Sequence, residues 1–467
     1  MNSMRKFIDR LFLALAVFFL VPASVVFAAG TPDIAAAGLV NTPEIAAPPA
    51  VVNTRGSLTL PEGLRMLFAR SRDVAIAMQQ QMAAGADVGI ARSPMLPEVD
   101  SFFSHTELAY QPEALFGSLT VPESQRAYNE FNVSIHQLLF DFWGAASRVK
   151  ASKSALEASR EKTRRAKNLA AFRFVSGYLD LLQSRKMVLV AQRELARLRS
   201  HLSDASALYN GGVITKNDLL QAQVKIADVQ QRLLNAENVD QTAASRLNSM
   251  LSRPLDTPVT PVEVGQNELA IAMPADLKTV WAAALRQRPE ILAEDSVLKS
   301  LGYEEKAYKS QYLPSLSING GYDYTENKYM LHQSNLSAVA LIRINLSNGG
   351  ATKAEIRKLE SRKAELVEQR DKLADQIGLE AENYFLGLSS SRQNLEAAKA
   401  ALGQAKENVR INRVRYKEGV GTATEVLDSI ALMTVAESNY YSAFYDLMRA
   451  QAGVLYSEGI DLTEVYK

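Results

Sequence analysis

The chain has 467 residues, 47% hydrophobic and 22% charged, enough to bury large apolar surfaces in two or three units. Its 52 basic and 51 acidic residues leave a formal net charge of +1, which gives no electrostatic case for nucleic acid or an acidic surface as partner. The absence of cysteine excludes disulfides, thiolate metal sites, cysteine nucleophiles and a lipidated N-terminal cysteine.

Arg5, Lys6 and Arg10 precede an apolar core from Leu11 to Val21, followed by small residues near Ala28. That layout predicts a secretory signal peptide over 1–28, the run being too short for the roughly 20 residues a membrane-spanning helix needs. Residues 29–56, with Pro32, Pro43, Pro48 and Pro49, read as a flexible Ala/Pro-rich lead-in. Proline is then absent between Pro122 and Pro254 and again after Pro314. Because an interior proline costs a helix about 3 kcal/mol, those two gaps are where long helices fit. The stretch 253–274 between them, carrying Pro254, Pro258, Pro261 and Pro274, reads as a linker.

The two parts so divided, 57–252 and 275–460, are one pattern written twice. Each opens on an amphipathic helix, about 60–92 and 276–312, that ends at a Leu-Pro step, "MLPEV" or "YLPSL". Strand-like alternation follows, predicting β-hairpins at about 98–140 and 315–346. From Pro97 to Leu139 is 42 residues and from Pro314 to Leu346 is 32, so the first part holds ten extra residues, placed in the loop around "YQPEALFGSLTVPES". After that point the register between the parts is a constant 207. Residues 461–467 read as a C-terminal tail.

In the strands, Leu316, Ile318, Tyr322 and Tyr324 share one face and Ser317, Asn319 and Asp323 the other. Leu336, Ala338, Ala340, Ile342, Ile344 and Leu346 alternate with Ser337, Val339, Leu341, Arg343 and Asn345, and Phe131, Val133, Ile135 and Leu139 with Asn132, Ser134 and His136. Segments of about ten residues, apolar on one face, suit a membrane β-barrel, although a soluble hairpin on a helical core writes the same alternation. The export signal and the helix length favour the membrane. Four strands cannot close a barrel, and open edges do not survive in lipid, so several copies must share one.

Leu181, Val188, Leu195, Leu202 and Tyr209 recur every seven residues, with Ser184, Ala191, Leu198 and Ala205 three later. Adding 207 gives Leu388, Leu395, Leu402, Val409 and Tyr416, with Ser391, Ala398, Ala405 and Asn412. Sevenfold spacing implies supercoiled neighbours. Helices over roughly 145–209 and 352–416 would run on the order of 95 Å. Each ends in a Tyr-x-x-Gly phrase, "LYNGGVITKNDLLQAQ" or "RYKEGVGTATEVLDSI". Gly212 and Gly419 supply a φ > 0 helix stop, and Thr215 or Thr424 a cap for the next helix. Trp143, Phe140 and Phe142, at the strand-to-helix passage, suit either an aromatic girdle at a membrane boundary or junction packing.

The ordered tandem repeat over about 57–460, with its duplicated Tyr209–Gly212…Asp218 and Tyr416–Gly419…Glu425…Asp428 phrases, resembles the TolC-type outer-membrane efflux channels. The resemblance implies a mainly α fold. Long helical hairpins form a tapering α-barrel through the periplasm, and four strands per chain enter a shared 12-stranded barrel in the outer membrane. It implies a homotrimer serving as exit duct of a tripartite efflux or type I secretion system. The partners implied are a periplasmic adaptor, an inner-membrane pump of RND, ABC or MFS type, and outer-membrane lipid, with no nucleic acid.

By the same resemblance Asp218 and Tyr416 fall at tip-closing contacts, Glu425 and Asp428 in an acidic ring at the constriction, and Tyr209, Gly212, Gly419 and Gly421 in tip turns where the adaptor docks. Asp218 and Glu425 also suit the first turn of a helix by opposing its dipole. Gly421 departs from the pattern, standing where the best-known member has an arginine that ties the tip shut. No enzyme, cofactor or metal is expected: "EGVGTATE" has only Gly-x-Gly in a turn, without a preceding strand. The four histidines (His105, His136, His201, His332) read as surface or strand residues. A pore-less periplasmic coiled-coil scaffold is the alternative, and high-salt washing would strip it from membranes.

Overall fold

The computed structural model describes residues 57–265 and 276–466. The signal peptide, the 29–56 segment, the end of the linker and Lys467 lie outside them. The first repeat opens on α1 (Leu60–Arg70) and α2 (Arg72–Arg92). It continues through β1 (Glu98–Glu107), β2 (Glu113–Phe116), β3 (Leu119–Pro122) and β4 (Ala127–Phe140) to α3 (Gly144–Asn210) and α4 (Lys216–Met250). The second repeat runs α5 (Leu277–Gln287), α6 (Pro289–Lys309), β5 (Ser315–Thr325), β6 (Ser334–Arg343), α7 (Ala351–Lys417) and α8 (Ala423–Ser457). A short α9 (Leu462–Val465) follows, so the segment read as a C-terminal tail is partly helical and buries Leu462 and Tyr466.

The two opening helices are each broken where a single helix was expected. At Ser71 the backbone turns extended, and the Ser71 Oγ accepts from the Val74 N–H at 3.4 Å to start α2. Arg288 breaks the second opener the same way, because Pro289 at the first position of α6 pushes the preceding residue out of the helical region.

β1, β4, β5 and β6 form one antiparallel sheet in the order β1-β4-β5-β6, so β4 and β5 join the two repeats side by side. The register sorts the faces as the alternation predicts. Phe131 pairs with Tyr324, Val133 with Tyr322 and Tyr322 with Leu336 on one face. Asn132 pairs with Asp323 and His136 with Asn319 on the other, each pair hydrogen-bonded through its side chains. The apolar face is open to solvent, Leu336 and Ile342 each being more than 70% exposed. β1 and β6 are the outer strands of this sheet. The extra residues of the first repeat build the β2–β3 hairpin.

α3 and α7, at 67 residues each, are about 100 Å long. α2 and α6 pack on α3 toward the sheet, and α4 and α8 pack on it toward the opposite end. A central core gathers Leu60, Leu64, Phe174, Tyr178, Leu247, Met448 and Leu455. There the linker folds back: Leu58 N–H donates to the Thr260 carbonyl at 2.7 Å and Val262 N–H to that of Leu58 at 2.9 Å. The Tyr178 hydroxyl reaches the carbonyls of Leu58 and Val262 at 2.8 and 2.7 Å. A Cβ on Gly63 would lie 2.3 Å from the Phe174 ring, so the close approach of α1 to α3 at this point requires glycine. Among the described residues no helix is long and apolar enough to cross a membrane.

Candidate functional site

The end of the molecule remote from the sheet is made by two helix-to-helix turns, α3–α4 and α7–α8, built alike. Gly212 and Gly419 take φ +75° and +73°, where a residue with a Cβ is strained. In the first turn Gly212 N–H donates to the Tyr209 carbonyl and Val213 N–H to that of Leu208, both at 2.9 Å. In the second, Gly419 N–H donates to Tyr416 at 3.1 Å and Val420 N–H to Arg415 at 2.9 Å. This paired bonding closes the last carbonyls of each helix and aims the chain back on itself.

A threonine restarts the helix on each side. Thr215 caps α4, and its N–H and hydroxyl donate to Asp218 Oδ2 at 3.1 and 2.8 Å. Thr422 caps α8, accepting from Glu425 N–H at 3.2 Å while its own N–H donates to Glu425 Oε2 at 2.9 Å. The second cap is therefore Thr422 and not Thr424, which lies inside α8. The 207 register from Thr215 points to it, as does the Thr-x-x-Glu capping box.

The tip residues singled out in the sequence all lie in or beside these turns, with distinct surroundings. Asp218 and Glu425 hold the capping boxes, and Glu425 also lies 3.7 Å from Arg415 Nη1 across the turn. Asp428, one turn further along α8, is exposed. Tyr416 is 2% exposed, inside a core of Leu195, Leu198, Ala205, Val229, Val426 and Ile430, and its hydroxyl has no hydrogen-bond partner. Burial, and then the charges of Asp218 and Asp204, raise its pKa. Tyr209, the matching residue of the other turn, is 38% exposed. Gly421 is tightly hemmed: a Cβ would lie 3.0 Å from the Tyr416 nitrogen and 3.1 Å from the Arg415 Cβ. Its N–H donates to the Arg415 carbonyl at 3.1 Å.

Sequence reasoning missed several neighbours of this core. Arg413 donates to Ser200 and lies 3.2 Å from Asp204, which also meets Lys417 at 3.3 Å, tying α7 to α3. Further up, Arg197 holds the buried Glu437 of α8 by two bonds of 2.9 and 2.8 Å, and Arg232 of α4 holds the buried Glu194 at 2.9 Å. His201 is buried on α3, which corrects its reading as a surface or strand residue. Glu194 and His201 are seven apart, so a third heptad stripe was the available signal.

At the other end, Phe140, Phe142 and Trp143 form an aromatic cluster where β4 passes into α3, with ring centroids 4.9 and 5.5 Å from Phe140. Trp143 is 65% exposed. Phe142 and Trp143 take φ +52° and +65°; the residues 207 further on, Gly349 and Gly350, take +67° and +84°. The same corner is thus built with glycine in one repeat and with strained aromatic residues in the other, at a cost of about 1–2 kcal/mol per residue.

Residues 63–253 and 280–456 match the family model described as outer membrane efflux protein. Outer membrane efflux protein BepC of Brucella suis biovar 1 is 21% identical over 367 residues, 75% of this chain and 77% of that protein. The outer membrane protein VceC of Vibrio cholerae superposes with a TM-score of 0.74 at 17% identity, over 87% of this chain and 97% of that one. The open-state MtrE outer membrane channel of Neisseria gonorrhoeae gives 0.71 at 17% identity, over 87% and 90%. Two family-matched segments, one per repeat, and the same channel fold lead to one conclusion: this chain belongs to the outer membrane efflux protein family, and its place is the outer membrane, with its helices reaching into the periplasm.

Proposed function

We propose that three copies of this chain close into one duct, the exit channel of a tripartite efflux or type I secretion system. The observation that carries the reading is the sheet. Its four strands present an apolar face to solvent and leave β1 and β6 as outer strands. Unpaired edges are not tolerated in lipid, so siblings must supply the missing neighbours. Twelve strands then form the outer-membrane pore, and the α3–α4 and α7–α8 hairpins the periplasmic tunnel. Phe140, Phe142 and Trp143 form the girdle at the lower membrane boundary, the strained backbone of Phe142 and Trp143 being retained for that contact. A periplasmic adaptor docks on the tips around Tyr209, Gly212, Gly419 and Gly421, linking the duct to an inner-membrane pump of RND, ABC or MFS type.

The tips are the constriction, with Tyr416 and Asp218 behind its closure and Glu425 and Asp428 lining it. Rings of carboxylate in a narrow neck favour cations. Asp428 is the strongest candidate lining residue, being exposed, whereas Asp218 is engaged in a cap. Ion selectivity in planar bilayers tests this. Glu425→Gln with Asp428→Asn lowers cation preference, and an unchanged reversal potential would remove the acids from the neck.

A further inference from the structure

Two polar groups are buried without partners behind the proposed constriction, and they touch each other. His201 is 1% exposed, and neither ring nitrogen has a hydrogen-bond partner among the described residues. Its ring centroid lies 5.0 Å from that of Tyr416, whose hydroxyl is equally unpartnered. The backbone carbonyl of Tyr416 accepts from Gly419 N–H, so the ring that packs on His201 hangs from the residue that opens the turn.

The charged groups around the pair are few and already engaged. On α3 itself Asp204 is the neighbouring acid, held by Arg413 at 3.2 Å and Lys417 at 3.3 Å, both from α7. From α4 comes Asp218, occupied by the Thr215 cap, and from α8 Glu425, occupied by Thr422 and Arg415. The remaining contribution of α8 to this core is apolar: Ala423, Val426, Leu427 and Ile430. An imidazolium at His201 would thus sit in an apolar pocket with no free carboxylate to receive it. Burial lowers the pKa of His201 most; Asp204 opposes that and Arg413 adds to it.

We infer that His201 is an acid-responsive latch on Tyr416: neutral, it packs the tip shut, and on protonation it leaves the core and releases the tyrosine. This rests on the reading of the tips as the constriction. The sign follows from linkage. The packed tip holds His201 below its ordinary value, so the packed state binds fewer protons than a released, hydrated one. Packing is favoured above the ordinary histidine range and loses ground as pH falls through it. Each unit of pKa difference between the two states moves the packed-to-released ratio by about tenfold per histidine.

The test is conductance of the full-length protein in planar bilayers, stepped from about pH 7.5 to about pH 5.5, across the histidine range. The wild-type channel should open by about threefold or more over that span. His201→Leu should conduct at neutral pH within about twofold of the parent and show no acid opening. A flat wild-type profile, or an acid response undiminished in His201→Leu, overturns the latch. Hydrogen exchange at the histidine C2 position in the unmutated protein gives a second reading if the variant fails to assemble. His201 should exchange more slowly than the exposed His105, His136 and His332. Equal exchange at all four overturns the latch as well. A protein that forms no pore at any pH would instead remove the duct reading, and this inference with it.

Discussion

At the α3–α4 tip Tyr209 stands 38% exposed; at the α7–α8 tip Tyr416, its counterpart 207 residues on, is 2% exposed. The glycine stop, the paired turn bonds and the Thr-x-x-acid cap are the same in both. What differs is the company of the second helix. α8 packs against both α7 and α3 and buries Val426, Leu427, Ile430 and Met433, whereas α4 packs mainly on α3 and leaves Leu220, Val224, Leu234 and Val239 exposed. Local bonding follows from a dozen adjacent residues. Burial follows from which helices lie on either side. Duplicating a phrase duplicates the first and not the second.

Substitutions in matched pairs break or sharpen this comparison. Tyr416→Ala empties a packed core and should cost about 3–5 kcal/mol, while Tyr209→Ala should cost under about 1 kcal/mol. The thermal midpoint of the detergent-solubilised protein separates them, and equal losses would mean that the neighbouring helices do not set burial. Gly212→Ala and Gly419→Ala should each cost about 1–2 kcal/mol, because both residues take positive φ. Here the two tips should agree, as read by denaturant midpoints. Smallest are the caps: Thr215→Ala and Thr422→Ala each remove about 1 kcal/mol and should speed proteolytic nicking at their own turn only.

Much of the architecture is legible in the sequence because long-period patterns write it: the heptads place α3 and α7, period-two alternation places the sheet faces, and the 207 register doubles the plan. The stripes themselves are used unequally. On α3 the second-stripe residues Ser184, Ala191, Leu198 and Ala205 are all buried, while on α7 Leu388, Leu395 and Tyr416 are buried and the second-stripe Ser391, Ala398 and Ala405 only half so. A heptad shows which residues share a face, not how many helices press on it. That is why Glu194 and His201 were missed: they form a third stripe that matters only because α3 is packed on several sides, by α4 and α8 among others. The breaks at Ser71 and Arg288 were missed because each spans a single residue within a continuous amphipathic pattern. Arg415 escaped notice because its nearness to Glu425 depends on the turn between them.

The central claim is that one chain is an open-edged fragment of a pore. Native mass spectrometry of the protein extracted from outer membranes in mild detergent tests it most directly. A single species of three chains is predicted, and a stable species of one chain would contradict the account.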